Sequence, residues 1–246
     1  MSIANINTRK FILGKPVELP YGKVRFLTIE EYMDMEAELH LLSMNTLHIY
    51  YAQKKLLANK LKRKELAEFE KTKELPLYHL VLHTDYFLHT YLSIFDKLIE
   101  FNEGFSLNHL FETEDRFMEI RSIIMMMNFL KEEKVYRNEE LQRNHEEGNK
   151  VRNNASSNIT MEDIITAVVA STANTYEDVD KMSVYQLNAL YLRISAIKDY
   201  ETSTLFATVS SEAKVEHWTK HIDLFESKDN SSIKLSEFKN KLSEAF

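Results

Sequence analysis

The 246-residue chain has no cysteine, which excludes a disulfide scaffold, a thiolate zinc site and a cysteine nucleophile together. It has only 4 glycines and 3 prolines, far below the roughly 12% of residues that is usual, and that scarcity excludes most loop-rich folds. Neither a GxGxxG nor a GxxxxGK phosphate loop occurs, and no serine sits in a GxSxG elbow, so the common nucleotide-dependent enzymes and serine hydrolases have no support. No apolar run approaches the ~18 residues of a spanning helix. The segment Met1 to Lys10 is polar where an export signal carries its apolar core, so a soluble, unexported protein is expected.

What is present is a globular composition: 44% hydrophobic and 28% charged residues, enough to build a core and too apolar for a disordered polymer. Basic side chains number 31 and acidic ones 38, a net charge of −7. That balance argues against phosphate-backbone binding by the chain as a whole.

Turn chemistry is concentrated near the front. In FILGKPVELPYGKVRFL, Phe11 to Leu27, short β-prone pieces alternate with Gly-Lys-Pro and Pro-Tyr-Gly, which predicts a hairpin or small ribbon within residues 1–27. Val24 and Phe26 would share one face, and Lys23 and Arg25 the other. Thr28-Ile29-Glu30-Glu31 spells a capping box and starts a helix whose pattern runs on toward Phe69, with a break expected near Ala58 to Leu61. Leu77 to Phe101 reads as one apolar helix, and Phe117 to Tyr136 as another. A helical domain over 28–143 follows from this.

Residues 144–159 are Asn-rich and almost free of large apolar side chains, the pattern of an exposed polar linker. A C-terminal helical domain over 160–246 begins with a capped, acidic first turn at Thr160. A second capping box follows at Ser183, ahead of the stripe Leu187, Leu190, Tyr191, Ile194 and Ile197. Further short helices are expected over Thr202 to Val209, Val215 to Phe225 and Ser236 to Phe246. The predicted fold class is thus mainly α: an N-terminal ribbon, then two helical units joined by a polar linker.

Candidate chemistry is sparse. His79 and His83 lie four apart, as do His217 and His221, a spacing that converges on a metal only if both pairs sit on helices. The glutamate of HExxH is replaced by Leu80 and Trp218, so solvated or partly buried histidines are the plainer reading and no metal site is assigned. The stretch Glu226 to Glu237 matches a calcium loop at two positions, but Lys228 and Ser231 stand where a ligand and a glycine are needed. Acidic pairs such as Glu139 with Glu140 and Glu146 with Glu147 lie in polar sequence, where nothing would raise a pKa. No residue is assigned as catalytic.

Lys54, Lys55, Lys60, Lys62, Arg63 and Lys64 form the one basic cluster able to track phosphates. The acids Glu65, Glu68, Glu70 and Glu74 follow directly, which favours a solvated helical face of mixed charge. Ten methionines, among them Met33, Met35 and the run Met125 to Met127, either fill gaps in the core or make an adaptable surface.

Two segments resemble a known family. GKPVELPYGKVRFLTIEEY, Gly14 to Tyr32, is similar to the opening of tail assembly chaperones and related tail-morphogenesis proteins of phages infecting Gram-positive bacteria. TYEDVDKMSVYQLNALYLRISAIKDYET, Thr175 to Thr202, resembles a recurring phage segment with Met-Ser/Thr-x-Tyr before an amphipathic helix. Together they cover less than half of the chain.

The resemblance implies a non-enzymatic role in the host cytoplasm, with no cofactor. The chain would bind and solubilise the helical tape-measure protein and help recruit tail-tube subunits; self-association is compatible with this. It also implies that the chain is the longer form of a frameshifted pair, or a fusion across the 144–158 segment. The client would dock on Met33, Met35, Leu39 and Leu42, or on Met125, Met126 and Met127, and Lys54 to Lys64 would steer its acidic segments. The competing readings are a structural virion component, such as a connector or baseplate protein, and a small regulator that binds nucleic acid through the 54–64 helix.

Overall fold

A computed structural model describes residues 8–57, 65, 69–132, 134–155, 159–210, 215–222 and 224, except the side chains of 56, 57 and 151–155. After a 3-10 turn at Thr8–Leu13 come strands β1 (Val17–Leu19) and β2 (Gly22–Val24), then helices α1 (Ile29–Asp34), α2 (Glu36–Ser43) and α3 (Thr46–Leu57). Helices α4 (Leu77–Leu82) and α5 (Asp85–Leu98) lead into strand β3 (Ile99–Phe101), and α6 (Glu114–Met127) completes the first unit. Helix α7 (Glu139–Ala155) then connects to α8 (Met161–Ser171), α9 (Tyr176–Asp180) and α10 (Val184–Ala207). The expected class, mainly helical with a small N-terminal ribbon, is what the structure shows. No described helix is long and apolar enough to cross a membrane.

The ribbon is a three-stranded antiparallel sheet in the order β1-β2-β3. Val17 faces Val24 across the first pair, and Val24 faces Ile99 across the second, so one face of the pleat is apolar and buried. Gly22 pairs with Phe101, and a Cβ there would meet the Glu100 carbonyl oxygen at 2.5 Å. Only glycine permits that approach. The sheet therefore uses one of the few glycines to draw the end of α5 onto the hairpin.

Thr28 begins α1 as its sequence predicts. Its hydroxyl accepts from the Glu31 amide at 3.2 Å, and the Glu31 carboxylate accepts from the Thr28 amide at 3.0 Å. Arg25 grips the same carboxylate with two bonds of 2.8 Å and donates from Nε to the Lys97 carbonyl at 3.0 Å. The Arg25 guanidinium holds the Glu31 carboxyl below its ordinary range. One capping box thus also fastens α1 to the end of α5. Thr28→Ala is expected to cost about 1 kcal/mol, read as a lowered urea midpoint with unchanged slope.

The first core is built from α2, α5, α6 and the sheet. Leu39, Leu42, Ile94, Phe95, Leu98, Phe117, Ile120, Ile123 and Ile124 are fully buried in it. At its centre Phe117 lies 5.1 Å from the Tyr91 ring, 5.6 Å from Tyr78 and Phe111, and 6.1 Å from Phe95. Arg121 is also buried, at 2% exposure. Its guanidinium pairs with Glu132 at 2.5 Å and donates to the Met44 carbonyl at 3.2 Å.

The second core is smaller: Val168, Val179, Val184 and Leu187, joined by Ile29 from α1. Thr160, Thr175 and Ser183 cap α8, α9 and α10 with reciprocal side-chain and backbone bonds. The two cores meet through the N-terminal segment. The Phe11 ring lies edge-on to Tyr185 at 5.3 Å, and Gln186 donates to the Ile12 carbonyl at 3.1 Å. Phe129, in the left-handed region at φ 60°, packs against the second core from the end of α6.

Several expected element boundaries differ. The helix from Thr28 is interrupted at Met35 and Met44; Asn45 caps α3, accepting from the His48 amide at 3.0 Å. The break expected near Ala58 to Leu61 lies outside the described residues. Leu77 to Phe101 splits at His83–Thr84 and ends as a strand. The helix expected over Phe117 to Tyr136 stops at Asn128. Residues 144–155 of the expected linker belong to α7, a charged helix that ion pairs tie to α3. The Thr202 to Val209 helix is the continuation of α10 as far as Ala207, and residues 215–222 form turns. The Ser236 to Phe246 helix and the Glu226 to Glu237 loop fall outside the described residues.

Candidate functional site

The methionine and leucine faces chosen from the sequence are mostly interior. Leu39 and Leu42 are fully buried, Met127 is 1% exposed, and Met35 and Met125 are buried as well. The physical reason is that α5 and α6 cover the apolar face of α2. Met126 is half-buried against the same core, and only Met33 is open, at 45%. These residues therefore form no continuous groove for a client helix.

The described part of the basic cluster, Lys54 and Lys55, is ion-paired. Lys54 pairs with Glu139 at 2.5 Å and Glu70 at 3.4 Å, and Lys55 with Glu146 at 3.1 Å. Lys54 and Lys73 both sit over the Tyr50 ring, and the Tyr50 hydroxyl donates to Glu70 at 2.6 Å. Lys73, then the Tyr50 hydroxyl, pull the Glu70 carboxyl down to about 2, while Glu139 holds the Lys54 ammonium above its ordinary value. Lys54 and Lys55 thus lie in a surface of mixed charge. Lys60, Lys62, Arg63 and Lys64 lie outside the described residues.

The histidine pairs do not converge on a metal set. The His79 and His83 rings are parallel with centroids 6.5 Å apart. His217 and His221 lie on turns, where four-residue spacing no longer places both on one face. His217 instead packs 5.1 Å from the Tyr200 ring. Among the described residues no group of three His, Asp or Glu could hold a metal ion.

Among the described residues one open apolar surface lies at the far end of α10, which the sequence reading did not single out. Leu205 is 70% exposed, Phe206 60% and Val209 82%. The segment 215–222 folds back on the middle of the helix, its Trp218 and Lys220 carbonyls accepting from Arg193 Nη1. Val215 and Trp218 stay accessible there. Full burial on α10 is confined to its first turn, at Val184, Tyr185 and Leu187, while Leu190, Tyr191 and Ile194 are half-buried against the second core. The signal was legible: Lys198, Asp199, Glu201 and Thr202 end the buried stripe, so Leu205 and Phe206 fall beyond any core partner.

The comparisons with known proteins cover the same two units. Residues 6–137 match the YomV N-terminal domain, and residues 151–223 the YomV second domain. Over 215 residues the chain is 30% identical to the SPbeta prophage-derived uncharacterized protein YomV of Bacillus subtilis (strain 168), spanning 87% of this chain and 88% of that protein. No solved structure matches. Matched along both domains and across nearly the whole length of a prophage-derived relative, the chain belongs to the YomV family of phage-derived proteins.

Proposed function

We propose that this protein is a non-enzymatic phage tail assembly chaperone, acting in the host cytoplasm to hold the helical tape-measure protein soluble and to help recruit tail-tube subunits. The observation that carries the reading is the open apolar end of α10, where Leu205, Phe206 and Val209 face water among the described residues. A helical client offers apolar anchors at three- and four-residue spacing, and such a face can receive them. The net charge of −7 keeps a chain with exposed apolar side chains soluble. Phage origin and the likeness of Gly14 to Tyr32 and Thr175 to Thr202 to tail-morphogenesis proteins support the same role.

Co-expression with the neighbouring gene for the longest helical protein tests it, followed by size-exclusion chromatography and mass spectrometry. A soluble joint complex is expected. An insoluble helical protein, with this chain eluting alone, would overturn the reading. The paired substitution Leu205→Asp and Phe206→Asp is expected to abolish client solubilisation while unfolding stability stays within about 0.5 kcal/mol per site, because both side chains face water. Purified virions should lack the chain; its presence there would instead make it a structural tail component.

A further inference from the structure

Helix α7 is held differently from every other long helix of the molecule. Among its described side chains, residues 139–150, only Gln142 is buried, and Leu141 is 52% exposed. A helix without an apolar seam cannot be held by burial, so its docking rests on polar contacts. At its stem the Tyr51 hydroxyl of α3 donates to the Tyr136 carbonyl at 2.9 Å, and the Gln142 side chain accepts from the Tyr136 amide at 2.9 Å. Along the helix itself the links to α3 are ion pairs: Lys54 with Glu139 at the first turn, and Lys55 with Glu146 two turns on. Gln142 steadies the second pair, donating to Glu146 at 3.0 Å.

We infer that α7 is a salt-releasable strap, latched to α3 through Lys54–Glu139 and Lys55–Glu146, which opens locally while both cores stay folded. The Lys55–Glu146 pair is exposed on both sides, at 68% and 34%, so water and salt reach it. Screening shortens from about 8 Å at physiological ionic strength to about 3 Å at 1 M. The cores carry their own contact through Phe11, Tyr185, Ile29 and Phe129, which is built on ring and aliphatic packing. Salt therefore acts on the strap and leaves the packing of the units alone. Opening bares Tyr51 and releases Lys54 and Lys55 from Glu139 and Glu146, leaving a basic and aromatic edge on α3.

Hydrogen exchange of the full chain, followed by mass spectrometry, tests the strap. In 1 M sodium chloride the amides of residues 143–150 are expected to exchange roughly fivefold faster than at low salt, as the loss of two exposed ion pairs implies. Amides of α5 and α6 should not change. Lys55→Glu should reproduce the effect without salt, and Lys55→Glu combined with Glu146→Lys should restore slow exchange, which a general weakening of the helix would not. Exchange in α7 that is indifferent to salt, or a charge reversal that fails to restore protection, would overturn the inference.

Discussion

Glu132→Ala is expected to lower the free energy of unfolding by about 3 kcal/mol, although Glu132 is 41% exposed and surface acids ordinarily contribute within about 0.5 kcal/mol. The cost falls on its partner. Arg121 is 2% exposed and pairs with this carboxylate at 2.5 Å. Removing Glu132 leaves a guanidinium charge inside the core beside the Met44 carbonyl, and uncompensated buried charges cost roughly 3–5 kcal/mol. Arg121→Met should be milder, about 1–2 kcal/mol, because the apolar stem is retained and Glu132 returns to water. Urea denaturation of the two variants checks the ranking. The reverse order would show that the guanidinium charge is balanced elsewhere.

Phe117→Ala should cost about 4 kcal/mol. The ring is fully buried and touches Tyr78, Tyr91, Phe95 and Phe111, so no single neighbour can move to refill the space. Truncating such an aromatic side chain removes its transfer energy and leaves a cavity, together roughly 3–5 kcal/mol. A domain is stable by only about 5–15 kcal/mol, which places the variant near the limit of folding. Phe117→Leu keeps most of the volume and should lose roughly 1–2 kcal/mol. Thermal denaturation of both separates a packing effect from a general intolerance of substitution.

The boundaries that could be read from the sequence are those written in local chemistry. Thr28, Thr160 and Ser183 each start a helix because a hydroxyl and a side chain three residues on satisfy each other's amides, a rule that needs no tertiary partner. The β1–β2 hairpin was legible for the same reason, since Pro20, Tyr21 and Gly22 make its turn. Strand β3 was not. Ile99, Glu100 and Phe101 continue the apolar spacing of α5, and only pairing with β2 turns them into a strand. The breaks at Met35 and Met44 have no glycine or proline to announce them. Helix α7 was hidden by its composition, since periodicity is read from apolar residues and it has few.

The candidate site was legible in kind and misplaced in position. Spacing identifies which side chains share a face, and Leu39, Leu42 and Met125 do belong to apolar faces; it does not say which faces another helix covers. On α10 the half-buried stripe ends before Lys198, and Leu205 and Phe206 beyond it are open among the described residues. Lys54 and Lys55 were correctly read as part of a mixed-charge surface, but their partners Glu139 and Glu146 stand more than eighty residues away in sequence, beyond the reach of a local pattern.

The interleaving of the two cores has a bearing on how this gene can be divided. Ile29 contributes to the second core from the front of the chain, Phe11 packs on Tyr185, and Phe129 reaches across from the end of α6. A translation product ending near residue 144 would carry all three side chains without the residues that cover them. It would be a different molecule with a sticky flank, and the absent half would be its natural cover. If a shorter form is made alongside the full chain, the two differ in which apolar surface they show, so a ribosomal slip near residue 144 would set the ratio of two binding specificities produced from one gene.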